Sequence, residues 1–178
     1  MKTTKNFFAI IIIFVSFVSN SFAQNGFTAT LNTTMGTENR YGVELGYQYK
    51  DINIYVEGSY GSYNINNLSY NTPSVRVGAD YSFMQVNKIQ FFAGAFAGYT
   101  KFDGQDRKNA YIYTSSEADA LTVGVRAGIK VMVGKHAFVR AAAQVTSTDF
   151  DRVMGISNSK GTHGKYDVGA NLAVGFKF

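Results

Sequence analysis

The end of the chain, from Lys165 to Phe178, alternates without interruption between apolar side chains and small or polar ones. A period of two predicts a β-strand, because successive side chains of a strand point to opposite faces. Strands in globular proteins have about 5–6 residues, whereas strands that cross a membrane have about 9–11. The length and the apolar face together predict a membrane-spanning strand. The apolar positions are Tyr166, Val168, Ala170, Leu172, Val174, Phe176 and Phe178.

Seven segments upstream repeat this alternation, so the sequence predicts eight strands. Both faces of the fifth segment are apolar; we assign its alanines to the outside and expect Phe92 and Phe96 to fill the interior. Pro73 is expected just before the fourth strand, where a missing hydrogen-bond donor does least harm. The predicted fold class is a closed, antiparallel, eight-stranded, up-and-down transmembrane β-barrel, which leaves no unpaired strand edge in lipid. The seven segments are 27–35, 41–49, 52–60, 75–83, 89–99, 121–131 and 137–145.

The connections between these strands alternate in length. Tight turns are expected at 50–51, 85–88 and 134–135, and long polar loops at 64–73, 101–119 and 147–164, with only the first outer connection, 36–39, being short. Short periplasmic turns and longer extracellular loops are typical of outer-membrane barrels. The N-terminus is therefore expected in the periplasm.

Aromatic residues fall into two bands when the strands are threaded up and down in this way. Such bands are expected where amphipathic rings meet lipid headgroups, whereas a soluble sandwich has no reason to sort its tyrosines by depth. The outer band is Tyr41, Tyr60, Tyr99 and Tyr166; the inner band is Tyr47, Tyr49, Tyr81, Phe83, Phe91, Phe176 and Phe178.

Residues 1–23 have the features of a cleavable secretory signal: a short basic start, an apolar core at 7–18, and Ser21 and Ala23 before the predicted cleavage site. The alternative is a retained anchor helix. The predicted domains are therefore the signal, 1–23, and an outer-membrane barrel, 24–178. The chain has no cysteine, which argues against a lipid-anchored lipoprotein and against disulfides.

The mature charge is mildly basic: without Lys2 and Lys5, the formal charge of +5 falls to +3, with no concentrated patch that suggests nucleic acid. Beyond the signal there is no apolar run long enough for a membrane helix. The mean hydropathy near zero is expected of a barrel in which half of each strand is small or polar.

On the outward series and the terminal alternation through Phe176 and Phe178, the stretch 24–178 resembles the small eight-stranded outer-membrane barrels of the OmpA/OmpX type. The resemblance implies an integral outer-membrane protein in contact with lipid and lipopolysaccharide, and a monomer. It also implies that Phe176 and Phe178 form the signal read by the barrel-assembly machinery. We expect no peptidoglycan-binding domain, since the chain stops at the last strand.

Nine charged residues lie on the predicted inner face. We expect a structural network that seals the interior, because eight strands leave a space that side chains can just fill and opposite charges there can pair. The alternative is an ion path, as in a narrow porin-like channel. The nine are Glu44, Glu57, Arg76, Asp80, Arg126, Lys130, Arg140, Asp167 and Lys177.

Catalytic and metal sites are not expected. His136 and His163 are the two histidines, and neither has the His-x-Ser spacing of lipid A deacylases, although Asp151, Ser157 and Ser159 share the last outer loop with His163. Without cysteine or clustered histidine, we expect neither a metal nor a cofactor.

The outer loops are the remaining candidates for function. Arg107, Lys108, Tyr111 and Tyr113 combine charge with aromatic rings, which suits contact with an extracellular protein or glycan. They equally suit an extension of the fifth and sixth strands beyond the membrane. Asp149, Asp151 and Arg152 suit contact with lipopolysaccharide, or simply a solvated loop.

The sequence thus predicts a non-enzymatic barrel that displays extracellular loops for envelope integrity, adhesion or surface interaction. Three alternatives stay open: a narrow passive channel, a lipid-modifying outer-membrane enzyme, and a soluble lipocalin-like barrel whose apolar faces point inward.

Overall fold

The computed structural model describes residues 25–36, 39–65, 68–104, 118–148 and 166–178. In these ranges the chain forms nine strands, and every pair of neighbouring strands is antiparallel. The strands are β1 (Gly26–Gly36), β2 (Asn39–Tyr49), β3 (Ile52–Ile65), β4 (Leu68–Asn71), β5 (Ser74–Val86), β6 (Ile89–Gly104), β7 (Ala118–Val133), β8 (Ala137–Thr148) and β9 (Tyr166–Lys177).

The nine strands form an eight-stranded barrel, because β4 and β5 together occupy one strand position. We call each of the eight strand positions a stave. Both β4 and β5 pair with β3 in a single continuous register, and between them Gly61 and Thr72 exchange backbone hydrogen bonds of 2.9 and 3.3 Å. The interruption is Pro73, whose carbonyl accepts from the N–H of Lys101 at 2.9 Å but which has no N–H to return. Pro73 thus lies just before β5, as predicted for the fourth strand, and the ladder with β3 resumes beyond it in β4.

Pairing of β1 with β9 closes the barrel, as predicted. A path of directly paired residues that starts at Gly26 and crosses all eight staves returns to β1 at Gly36, ten residues farther along. Such a shift requires the strands to tilt by about 35–45° from the barrel axis.

The tight turns are confirmed at 50–51, at 87–88 within the predicted 85–88, and at 134–136 where 134–135 was predicted. The predicted limits of the long loops were wrong. In the segment 64–73, β3 continues to Ile65 and β4 begins at Leu68. In the segment 101–119, β6 continues to Gly104 and β7 begins at Ala118. In the segment 147–164, β8 continues to Thr148. A strand ladder is held by backbone groups, so polar side chains do not end it.

The outside of the barrel is apolar and the inside is polar, which is the reverse of a soluble protein. Phe92 and Phe96 are 3% and 6% exposed, whereas Ala93, Ala95 and Ala97 are exposed on the outside, as predicted for β6. An apolar surface of this extent requires lipid around it. None of the described residues forms a helix able to cross a bilayer.

Outward aromatic rings lie toward both ends of the barrel. Tyr41 and Tyr60 face each other across β2 and β3 toward the end opposite the tight turns. At the other end the rings of Phe27 and Tyr47 meet edge to face, with their centroids 5.1 Å apart. The exposed members of the two bands are Tyr41, Tyr60, Tyr99 and Tyr166 at one end, and Tyr47, Tyr49, Tyr81, Phe83 and Phe176 at the other.

Candidate functional site

Four charged side chains from four different staves meet inside the barrel. They are Glu44 of β2, Asp80 of β5, Arg126 of β7 and Arg140 of β8. Each occupies an inward position of its strand, and none is more than 5% exposed. The two carboxylates and two guanidinium groups together carry no net charge, which is what allows them to be buried. We call these four residues the ion cluster.

Both arginines of the ion cluster make paired hydrogen bonds to a carboxylate. Arg126 donates from Nε and Nη2 to the two oxygens of Asp80, at 2.8 and 2.6 Å. Arg140 donates from Nη1 and Nη2 to the two oxygens of Glu44, at 2.9 and 2.8 Å. Arg126 Nη1 also donates to Glu44 Oε2 at 3.0 Å, so the two pairs are joined. Forked contacts of this kind fix orientation as well as charge.

Gly94 makes room for the ion cluster. It lies on β6, directly between Asp80 of β5 and Arg126 of β7 in the register. A Cβ atom at this position would overlap Oδ1 of Asp80. Any larger residue would therefore push the Asp80 carboxylate away from Arg126.

Three aromatic rings inside the barrel lie over glycines of the neighbouring strand. In each pair the ring fills the space that a Cβ atom of the glycine would take. Covering a strand glycine with an aromatic ring compensates for the packing that glycine lacks. The pairs are Tyr55 with Gly78, Phe96 with Gly124, and Phe138 with Gly175.

These rings also face cations. The guanidinium carbon of Arg126 lies 4.0 Å from the centre of the Tyr55 ring, and that of Arg76 lies 5.0 Å from the centre of the Phe96 ring. Cations stacked on desolvated aromatic faces are held by the ring quadrupole. The Tyr55 ring therefore packs on the ion cluster and the Phe96 ring on Arg76. We call the three rings the aromatic layer.

The remaining predicted inner charges lie around this layer. Glu57 and Arg76 are buried and oppose each other across β3 and β5. Lys130 donates to Gln48 Oε1 at 3.1 Å. Asp167 and Lys177, near the two ends of β9, are part-exposed and do not join the ion cluster.

Sequence reasoning missed several uncharged members of the interior. Asn171 Oδ1 lies 3.5 Å from Arg140 Nη2, and Asn171 Nδ2 donates to Thr34 Oγ1 at 3.0 Å. Gln48 accepts the hydrogen bond from Lys130. The same alternation that identified the charges places these residues inward, so the signal was present in the sequence. They were not predicted as members of the network because only charged inward residues were considered.

Free space beside the ion cluster is small on the side of the tight turns. The cavity there has a volume of about 10 Å³ and is lined in part by Asp80, Phe92, Lys130, Phe138 and Arg140. That volume suits about one water molecule. This cavity beside the ion cluster therefore has room for about a single water.

Toward the opposite end, buried polar atoms have no protein partner among the described residues. Examples are Thr30 Oγ1, both amide atoms of Asn32 and Thr146 Oγ1. Buried polar groups of this kind normally bind ordered water. Arg140 Nε and Tyr55 Oη, at the level of the ion cluster, also lack a protein partner among the described residues, so positions suited to water occur at both levels.

The other predicted sites are partly described. His136 lies in the turn between β7 and β8, where its Nδ1 is 3.0 Å from the carbonyl oxygen of Lys177. Phe176 points outward, and the N–H of Phe178 donates to the carbonyl oxygen of Phe27 at 2.9 Å. No cluster of three or more potential metal ligands occurs in the part of the chain that the structure describes. The predicted site residues that lie outside the described ranges are Arg107, Lys108, Tyr111, Tyr113, Asp149, Asp151, Arg152, Ser157, Ser159 and His163.

Comparison with known proteins gives matches only at the level of structure. No family model matches the chain, and no curated protein matches it. The N-terminal β-barrel domain of OprF from Pseudomonas aeruginosa aligns over 87% of this chain and 98% of its own, with 18% identity and a TM-score of 0.56.

Two further solved structures are similar in the same way. Neisserial surface protein A aligns over 86% of this chain and 96% of its own, with 14% identity and a TM-score of 0.57. A major outer membrane protein from Thermus thermophilus aligns over 88% of this chain and 100% of its own, with 8% identity and a TM-score of 0.54. The chain therefore has the fold of the small eight-stranded outer-membrane barrels of the OmpA/OmpX type.

Proposed function

We propose that this protein is a non-enzymatic outer-membrane barrel that anchors and displays surface segments for envelope integrity, adhesion or surface interaction. The observation that carries the proposal is the ion cluster, which together with the aromatic layer packs the interior. A barrel filled in this way serves as an anchor rather than as a pore. Its functional contacts then belong to the segments outside the membrane.

The proposed location is the bacterial outer membrane, with the tight turns and the N-terminus in the periplasm. The apolar exterior, the two aromatic bands and the barrel fold support it. In this orientation the segments 105–117 and 149–165, which follow β6 and β8, lie outside the cell.

The proposed partners follow from this arrangement. Lipid and lipopolysaccharide surround the barrel, and the barrel-assembly machinery reads Phe176 and Phe178. The segment with Arg107, Lys108, Tyr111 and Tyr113 contacts an extracellular protein or glycan, because aromatic and arginine side chains are enriched in binding surfaces. The protein acts as a monomer.

An epitope tag tests the display of these segments. A tag inserted between Ala110 and Tyr111 is expected to bind antibody on intact cells, whereas the same tag in the Asn87–Lys88 turn binds only after the outer membrane is opened. Folding of both variants is checked by their resistance to unfolding in cold detergent. The reverse pattern of labelling would overturn the proposed orientation.

A narrow channel is the second candidate function, and the polar atoms without a protein partner favour it. Thr30, Asn32 and Thr146 carry such atoms, as do Tyr55 and Arg140 at the level of the ion cluster, and a channel requires that water at these positions form a continuous path. Electrical conductance of the folded protein separates the two functions.

A further inference from the structure

Among the strand glycines whose surroundings the structure describes, Gly58 is the one that neither packing nor backbone conformation explains. A Cβ atom added at each of the others would approach a neighbouring atom within 3.0 Å, but one added at Gly58 would meet nothing within 4 Å. Its φ angle is not in the left-handed region, unlike that of Gly134 in a turn. Glycine weakens a strand, and it often marks a place where a ligand approaches the backbone. The space over Gly58 on the outer surface is therefore not filled by the protein itself.

Gly58 is the floor of a groove on the outer surface of the barrel, with a volume of about 890 Å³. It points outward between Val43 of β2 and Val75 of β5, which are its paired residues on the two sides and form the walls. Ligand sites typically have about 300–1,000 Å³. The groove therefore has the size of a binding site, on a face that the fold turns toward lipid.

Polar groups occur at one end of the groove, whose lining is otherwise almost wholly apolar. Tyr41, Tyr60 and Lys101 line that end at the level of the outward tyrosines. In an outer-membrane barrel this level is where headgroups begin. Lys101 is paired with Asp119 in the register of β6 and β7. An ammonium group has three N–H donors, so Lys101 can keep its contacts within the protein and also donate to a phosphate.

We propose that this groove, which we call the Gly58 groove, binds one acyl chain of a membrane lipid whose headgroup phosphate lies at Lys101. The apolar walls match the chain, and the cation at one end matches the phosphate. A second copy of the barrel fits less well, because a two-fold interface at this face would bring two Lys101 side chains to the same depth. The inference rests on the proposed membrane location.

Native mass spectrometry of the folded barrel, released from vesicles, tests the proposal. The vesicles contain phosphatidylcholine with a minority of phosphatidylglycerol, and the released wild-type protein is expected to retain one phosphatidylglycerol. Gly58→Leu fills the floor of the groove and is expected to lower retention at least tenfold. Ala95→Leu, which also enlarges a small residue, on the exposed outer face of β6, serves as the matched control and retains the lipid.

A further variant tests the headgroup. Lys101→Gln is expected to keep a bound lipid but to lose the preference for phosphatidylglycerol over phosphatidylcholine. Equal retention by the wild type and Gly58→Leu would overturn the proposal, as would a protein released as a dimer. Insertion into the vesicles is measured separately, by protection from added protease. A protein that fails to insert contradicts the proposed membrane function, whereas one that inserts without retaining lipid contradicts only the Gly58 groove.

Discussion

Glu44 is the residue on which the ion cluster depends most. Its carboxylate accepts hydrogen bonds from both Arg126 and Arg140, whereas the paired bonds of Asp80 come from Arg126 alone. Removing one partner of a buried ion pair leaves an uncompensated charge, which is far more costly than removing both.

Glu44→Gln is therefore expected to lower the free energy of unfolding by about 3–5 kcal/mol. The double variant with Arg140→Gln restores neutrality around Asp80 and Arg126, and is expected to be more stable than Glu44→Gln alone. Urea unfolding of the protein in lipid vesicles, followed by circular dichroism, measures both. Equal stability of the wild type and Glu44→Gln would contradict the assigned role of the carboxylate.

Gly124 matters because of the ring beside it rather than its own flexibility. The Phe96 ring occupies the space of its missing Cβ. Gly124→Val is expected to displace the ring and to cost about 1–3 kcal/mol, as overpacking usually does. Ala127→Val adds volume to the exposed outer face of the same strand and is the control. If the two variants unfold at the same urea concentration, the ring does not depend on Gly124.

At the scale of elements, the two-residue turns share a common construction. Lys50 and Asn87 have positive φ angles of 52° and 54°. Their carbonyl oxygens each accept from a glutamine two residues earlier, Gln48 at 2.6 Å and Gln85 at 3.1 Å. The turn therefore needs a residue that tolerates the left-handed region, and asparagine does so better than most.

Asn87→Val is accordingly expected to destabilise the barrel by about 1–2 kcal/mol, because a β-branched residue is strained at positive φ. Asn87→Gly is expected to fold with nearly unchanged stability. Lys88→Val, at the next position, where φ is negative, controls for the loss of a polar side chain from the turn. A stable Asn87→Val variant would show that the turn can adopt another conformation.

The strands and tight turns were predictable from the sequence, but the ends of the strands were not. Alternation of apolar residues stops where lipid stops, whereas the backbone ladder continues through polar residues such as Asn64 and Ser69. Pro73 lies just before β5 as predicted, but the continuation of the ladder in β4 beyond it was not predicted, because a proline interrupts one hydrogen bond without ending the ladder.

At the scale of the whole molecule, alternation identifies which side chains point inward but not which of them meet. Arg126 and Glu44 meet because the barrel closes with the shift from Gly26 to Gly36, and that shift follows from all the strand registers together. The inward charges were therefore predictable one by one. The ion cluster, and the exclusion of Asp167 and Lys177 from it, required the three-dimensional structure.

The central claim is that the interior is closed at the level of the ion cluster. Single-channel recording of the folded protein without residues 1–23, inserted in a planar bilayer, tests it most directly. The account predicts no steady conductance from protein shown to be inserted. Steady, reproducible openings from the wild type would contradict it, and would make Arg126 and Arg140 part of an ion path rather than of a seal.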